Sequence, residues 1–317
     1  MTPVGLISNP ASGHNRDQFE LIRARIERAP GLHHVITNDI AQIPSALSEL
    51  ASQGIGVLAI NGGDGTCSAI LGEMLESNIF ETLPVIAILP GGTANMNAGD
   101  IGVSGSLLKA TDRFCSWFQS GQSADIERAS RSLLRVQIED DPLPRYGMFL
   151  GAGAVIQGTD YAHKEIHSRG LRDDFSLALG VLRTIWGISR NDAAFRVNTP
   201  VELAINSGDT QHHNMLILAM STLHRLAFGM QPFWGQGEGN MRVTIVEQNC
   251  SRFVRTFVSI LRGKPNANAV PKEGFFSYNA QSLIVDMEGK LNLDGEILEA
   301  AGSVEISASP ALEFLKL

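Results

Sequence analysis

The sequence predicts an N-terminal α/β domain with a parallel sheet, followed by a mainly antiparallel β-sandwich domain. Three observations carry that expectation. Over roughly the first 125 residues, short apolar runs alternate with helical patterns, which is the signature of parallel α/β structure. From about residue 130 the texture changes to strand-like runs separated by turn residues. At 317 residues the chain also exceeds the usual size of one domain. The division is placed at 1–127 for the α/β domain and 128–317 for the β-domain.

Each element follows from its pattern. The runs VGLI (4–7), HHVI (33–36), VLAI (57–60) and PVIAIL (84–89) read as parallel strands, each ending in turn residues. Between the first two, Phe19, Ile22 and Ile26 recur at helical spacing among charged residues, and Pro30-Gly31 ends that helix. The second half carries LLRVQI, YGMFLGAGAV, VELAIN, NMLILAM, MRVTIV, SLIVDM and KLNL as strands. A helical insert is expected at 160–188 and a short helix at 252–263. Neither a fixed-period repeat nor a low-complexity tract interrupts them.

Composition excludes several functions. The longest apolar stretches fall far short of the ~18 residues that a spanning helix needs. The opening MTPVGLISNP lacks a signal peptide's basic flank and apolar run, so a cytoplasmic location is expected. Cys67, Cys115 and Cys250 are widely spaced and form no CxxC pair, which suggests neither a disulfide framework nor structural zinc. A net charge of -8 argues against broad nucleic-acid binding, so any membrane contact must be local.

Candidate chemistry gathers at three glycine-rich loops, SNPASGH (8–14), NGGDGT (61–66) and PGGTANMNAG (90–99), each placed after a predicted strand. Glycines there let backbone N–H groups approach phosphate oxygens, and a following helix N-terminus adds positive potential. In the central loop Gly62, Gly63 and Gly65 permit that approach. Thr66 could cap the next helix or bond a phosphate, and Asp64 implies a cation between itself and the phosphates. Taken alone, such a loop reads better as a tight turn with Asp64 as a turn residue or cap. Three of them at the carboxyl ends of strands in one sheet make phosphate binding the better reading. No GxxxxGK[ST], no GxGxxG opening a helix and no GxSxG occurs.

Together these loops resemble the diacylglycerol kinase catalytic family, which includes bacterial lipid kinases and sphingosine kinases. SNPASG is similar to its first loop, NGGDGT to its central signature, PGGTAN to the first half of its third, and DGE (294–296) to its late acidic motif. FLGAGAVIQGTD resembles the glycine-rich opening of its lipid-side β-domain. The resemblance implies a kinase that uses ATP and Mg²⁺ on a membrane lipid, with diacylglycerol as the default acceptor and peripheral membrane contact. It puts Asn9, Gly13, Thr37, Gly62, Gly63, Gly65, Thr66, Gly92, Thr93 and Asn95 at the nucleotide. It assigns Asp294 as general base, Glu296 as a Mg²⁺ or nucleotide contact, and Asp64 as a further Mg²⁺-linked carboxylate. NGGDGT also occurs in NAD kinases, so that activity stays open, as does a nucleotide- or lipid-binding regulator without chemistry. A homodimer is left open too.

In KLNLDGEIL, alternation would send the Asp294 and Glu296 carboxylates to one side of an extended segment. DGE by itself is also an ordinary hairpin turn. Two departures from the family pattern stand out. Met96 replaces an acidic residue, for which Asp100 four residues on would compensate in part if the helix presents both on one face, and Glu238 is the only carboxylate in GQGEGNMRVTIV. His163 and His167 read as a solvated helix face, and His33-His34 and His212-His213 as exposed strand edges. The 252–263 helix is basic and amphipathic, a pattern compatible with an anionic membrane surface that packing on its own sheet explains better.

Overall fold

The computed structural model describes residues 2–122, 126–156, 187, 188, 190 and 199–317. The expected insert lies almost wholly outside the described residues, as do His163 and His167. The chain divides into two compact units, one of Met1–Arg131 with Pro310–Leu317, the other Ser132–Ser309. The sequence reading had assigned residues 128–131 and 310–317 to the β-domain.

In the first unit, β1 (Val4–Ser8), β2 (His33–Ile36), β3 (Val57–Gly62) and β4 (Val85–Pro90) form parallel ladders. Every residue of β1 and β3 is buried, as expected for central strands covered on both faces. The crossovers use α1 (Asn15–Ile26), α2 (Ile43–Ser52) and α3 (Asp64–Ser77); α4 (Met96–Ile101) and α5 (Leu107–Gln119) follow β4. Ile22 and Ile26 of α1 and Phe114 and Trp117 of α5 pack with Leu6, Ala87 and Leu89 in one cluster.

The second unit opens with β6 (Leu134–Ile138), after β5 (Arg128–Arg131) has closed the first. Its strands continue as β7 (Arg145–Gly147), β8 (Phe149–Gly153), β9 (Thr199–Ile205), β10 (Gln211–Ser221), β11 (Met241–Glu247), β12 (Phe275–Ala280), β13 (Ser282–Leu293) and β14 (Glu296–Ala308). Every described pairing among them is antiparallel. They form one connected sheet, because β8 and β9 each pair with both β10 and β13 at different points along them. A register shift in β10 between Met215 and Ile217 makes room for the change. There Gly153, at φ +68, brings its backbone to Leu216 so closely that a Cβ would sit 2.4 Å from the carbonyl oxygen.

The helix α6 (Phe253–Leu261) packs on its own sheet, burying Phe253, Thr256, Phe257 and Ile260 against Val246 and Phe275. Two histidines correct the expectation of exposed strand edges. His213 is buried, with Nδ1 2.9 Å from Glu247 Oε1 and its ring edge-on to Phe276. His34 is half-buried, with Nε2 2.9 Å from Ser8 Oγ. His212 is exposed and lies 3.1 Å from Glu202. Cys67 and Cys115 are buried free thiols, and burial pushes the Cys115 thiol up to about 11.

The chain ends by returning to the first unit, where β15 (Leu312–Leu315) runs parallel to β4 and antiparallel to β5. Phe314 on β15 is fully buried, so its ring is part of the core behind the loops. Phe314→Ala is expected to cost about 3–5 kcal/mol, read as a shift of the denaturant midpoint. A change under about 1 kcal/mol would mean that β15 is a dispensable edge.

Candidate functional site

The three glycine loops leave the carboxyl ends of β1, β3 and β4, which are neighbours in register, so the loops are brought together by the sheet itself. Their contact is backbone to backbone. A Cβ on Gly92 would lie 2.2 Å from Gly63 Cα, and one on Gly13 would lie 2.5 Å from Thr93 Oγ1 and 2.8 Å from the Gly92 carbonyl carbon. Gly63 faces Gly92 Cα at 3.1 Å by the same construction. Gly62 is crowded by its own helix, through Thr66 Cβ at 2.7 Å. Gly65 differs: it is exposed in the first turn of α3, and a Cβ there would meet nothing within 4 Å.

The polar candidates mostly build the loops. Asn9 Nδ2 donates to Thr66 Oγ1 at 3.0 Å, Ser12 Oγ lies 3.2 Å from the same hydroxyl, and the Gly63 N–H donates to Ser12 Oγ at 3.3 Å. Thr66 lies inside α3 and does not cap it, since the helix starts at Asp64 with Gly63 as its N-cap. Asn95 closes its own turn, accepting from Gly92 N–H at 2.9 Å and donating to Gly92 O at 2.8 Å. Thr37 is buried just past β2, and its N–H donates to Ser8 O at 2.9 Å.

Asp64 is the first residue of α3, where a negative charge meets the positive end of the helix. Its Oδ2 accepts from Met96 N–H at 3.0 Å and its Oδ1 from Asn97 N–H at 3.1 Å, so it also caps α4. Burial raises its pKa above the ordinary carboxylate range, and the two backbone bonds oppose that rise. Asp100 does not stand in for an acid at position 96. Its carboxylate is buried and bound to Arg131 Nε at 2.6 Å. The Met96 side chain is therefore the departure it appeared to be, while the Met96 main chain serves Asp64.

In the second unit, the expectation that DGE is extended is overturned. Asp294 and Gly295 are the two residues between the paired Leu293 and Glu296, at φ +49 and +97, which makes a two-residue hairpin turn. Asp294 Oδ2 accepts from Met148 N–H at 2.8 Å and Oδ1 from Phe149 N–H at 2.9 Å, while its own N–H donates to Phe149 O at 3.0 Å. The carboxylate is thus aimed at β8 and held there. Glu296 is exposed and pairs with Arg145 at 2.9 Å. Glu238 is exposed, and the described residues contain no cluster of three or more metal-binding side chains. A pocket of about 200 Å³ in this unit is lined by Gly153, Ala154, Met215, Leu216 and Met287, with Lys290 among its polar members.

Sequence reasoning missed Asn15. This fully buried residue ties all three loops: Nδ2 donates to Asn9 O at 2.8 Å and to Asn61 O at 3.4 Å, and its N–H donates to Gly91 O at 3.2 Å. A polar residue opening a helix carries no signal in sequence that sets it apart from a solvated one.

The α/β unit gathers three glycine loops at the carboxyl ends of neighbouring parallel strands, and the comparisons say what it is similar to. Residues 3–124 match the family model of the diacylglycerol kinase catalytic domain. A solved diacylglycerol kinase from Bacillus anthracis str. Sterne shares the fold at TM-score 0.62 and 17% identity, covering 98% of this chain and 96% of that one. Two further structures from that organism, described as candidate diacylglycerol kinases, give TM-scores of 0.67 and 0.69 at 16% and 17% identity. The first covers 98% of this chain and 96% of its own, the second 99% and 97%. No curated protein sequence matches the chain. The family and the fold read from the sequence are therefore both borne out.

Two outcomes are expected here. Asn15→Ala should raise amide exchange at Gly62, Gly63 and Gly91 while the exchange of β13 and β14 stays as it is; unchanged exchange at those glycines would remove Asn15 as their tie. Burial lowers the His34 pKa from 6.5, with Glu27 opposing and Arg23 adding to the shift. The unfolded chain then takes the proton first, so His34 lowers stability as pH falls below 6.5 and has no effect above it. Unfolding free energies of His34→Gln should fall less steeply than those of the parent over that acid window, and parallel curves would contradict this.

Proposed function

We propose that the protein is an ATP-dependent lipid kinase that transfers the γ-phosphoryl group to a lipid hydroxyl, with diacylglycerol as the default acceptor. The observation that carries the reading is the convergence of three glycine loops around an open α3 N-terminus in a domain matched to a kinase family. In this reading the phosphates lie against the main-chain N–H groups at Gly65 and Thr66, where the helix end supplies positive potential without a side chain in the way.

The residues present suit a magnesium ion, which takes one or two carboxylates and fills its remaining positions with water and phosphate oxygens. Asp64 would hold it through the lone pairs that its two N–H bonds leave free. The bound ion would neutralise charge on the transferred group. Asp294 takes the proton as the acceptor oxygen bonds to the γ-phosphorus and the bond to the bridging oxygen of ADP breaks. Its two N–H donors fix the direction of the carboxylate. The pocket lined by Met215, Leu216 and Met287 suits part of an acyl chain.

Labelled ATP, Mg²⁺ and a panel of lipid vesicles, with free NAD in the same mixture, test the reading. Label is expected in a phospholipid product. Label in NADP would make the protein a NAD kinase, and bound but unconsumed ATP would make it a regulator.

Two variants separate the roles. Gly65→Ala adds a methyl where the structure has open space and improves helix propensity by up to ~1 kcal/mol, so it should fold at least as well as the parent. Its ATP affinity should fall about tenfold or more, since that space is where the phosphates approach; unchanged affinity by calorimetry would clear this end of α3 of any ligand. Asp294→Asn keeps the turn, because Asn-Gly is also favoured there. Single-turnover rate should drop by ~10²–10⁴ with ATP affinity nearly intact, and near-normal turnover would leave position 294 as a turn residue only.

A further inference from the structure

Among the described residues, no hydrophobic cluster covers the outward face of α6. At about 3.6 residues per turn, Phe253, Thr256, Phe257 and Ile260 share the buried side. The opposite side carries two flanks: Val254 and Val258 along one, Arg252, Arg255 and Arg262 along the other, while Leu261 packs back on the core. Val254 is 41% exposed, and the three arginines are exposed.

Neighbouring loops extend both flanks. The turn after the helix is folded back on it, with Lys264 N–H donating to Ser259 O at 3.0 Å and Asn266 Nδ2 to Arg255 O at 3.4 Å. That turn places Lys264, Val270 and Lys272 on the surface, with Val270 39% exposed. On the other side, Gln231 N–H donates to Leu261 O at 3.0 Å and anchors the loop whose tip is Phe228. Phe228 is 59% exposed at φ +57, a conformation that a bulky residue adopts only under constraint.

Charge then selects the partner. From 252 to 272 the chain carries five basic side chains and no carboxylate, in a protein of net charge -8. Arg255, Arg262, Lys264 and Lys272 form no ion pair with a described residue. Arg252 is bonded to Asn268 at 3.3 Å.

We propose that this face, α6 with the Phe228 turn and the 264–272 loop, docks on an anionic lipid bilayer, with the basic groups at the phosphate level and Phe228 and Val254 inserted among the acyl chains. An amphipathic helix lying in the interface has this division of basic and apolar groups. An acidic protein surface would satisfy the arginines but would give an exposed, constrained phenylalanine nothing to enter. The inference adds to the lipid-kinase reading the face by which the protein reaches its acceptor.

Vesicle co-sedimentation of the full chain, without ATP, tests the face separately from the chemistry. Binding is expected to phosphatidylcholine vesicles containing phosphatidylglycerol, to weaken with added salt, and to be lost without the anionic lipid. Arg255→Gln, Arg262→Gln and Lys264→Gln combined should weaken binding by on the order of 10²-fold, at about fivefold per charge. Phe228→Ala should weaken it by a smaller factor that salt does not change. Full binding by the triple variant, or equal binding to neutral vesicles, overturns the proposal. Should the triple variant fail to melt cooperatively, Lys264→Gln with Lys272→Gln, both in the loop, gives the same decision. Phosphorylation of a short-chain, water-soluble acceptor should be unaffected by these changes. If the parent phosphorylates no lipid yet still binds anionic vesicles, the kinase reading falls and the docking face stands.

Discussion

Three loops can meet main chain to main chain only where side chains are missing, and Gly13, Gly63 and Gly92 are where they meet. The constraint begins in the sheet. The parallel register of β1, β3 and β4 delivers the three loops to one end of the sheet, and at that separation a single methyl on Gly92 would overlap the backbone opposite it. Asn15 then satisfies carbonyl groups from all three loops from a fully buried position, where leaving them unpaired would be costly. What remains open is the first turn of α3. Its accessibility is thus a consequence of how tightly everything around it is packed.

The carboxylates in the two units are governed by one device. Asp64 and Asp294 each accept two adjacent backbone N–H groups, one on each oxygen. Such a pair stabilises the charged form and fixes the carboxylate plane. For Asp64 burial outweighs it, and the pKa still rises. The same arrangement explains why Met96 is compatible with the loop. The bond to Asp64 comes from the main chain of residue 96, so the type of its side chain is free to vary without loss of the α4 cap.

The fold was legible because parallel strands advertise themselves. VGLI and VLAI are continuous apolar runs closed by Ser8-Asn9 and Asn61-Gly62, and α6 showed its buried face by helical spacing. The connection of the β-strands into one sheet was not legible, because β8 and β9 alternate partners along β10 and β13, and pairing of that kind leaves no mark in composition. His213 illustrates a second limit. A histidine beside another histidine at a strand start looks exposed, yet its strand alternation turns it inward, where Glu247 on the next strand supplies the acceptor. In the site, the loops were legible as glycine clusters, but the contacts those glycines serve were not. Asn95 and Thr66 looked like ligand groups, but Asn95 is spent on its own turn and Thr66 on the loop after β1.

Asp294 and Gly65 differ in what they imply about chemistry. Turn geometry favours Asp or Asn before Gly at 294, and two converging N–H donors favour a side chain that only accepts. Structure alone therefore accounts for an aspartate there, whether or not a proton ever moves to it. Gly65 has no such account. It sits in a helical turn, its φ is not in the left-handed region, and nothing lies within 4 Å of where its side chain would be. Glycine in a helix costs ~0.5–1 kcal/mol relative to alanine, and no packing contact offsets that cost. A position that gives up stability without a structural reason is one that something outside the chain requires to be bare, and the phosphate proposed to rest on the N–H groups of the first turn of α3 would require that.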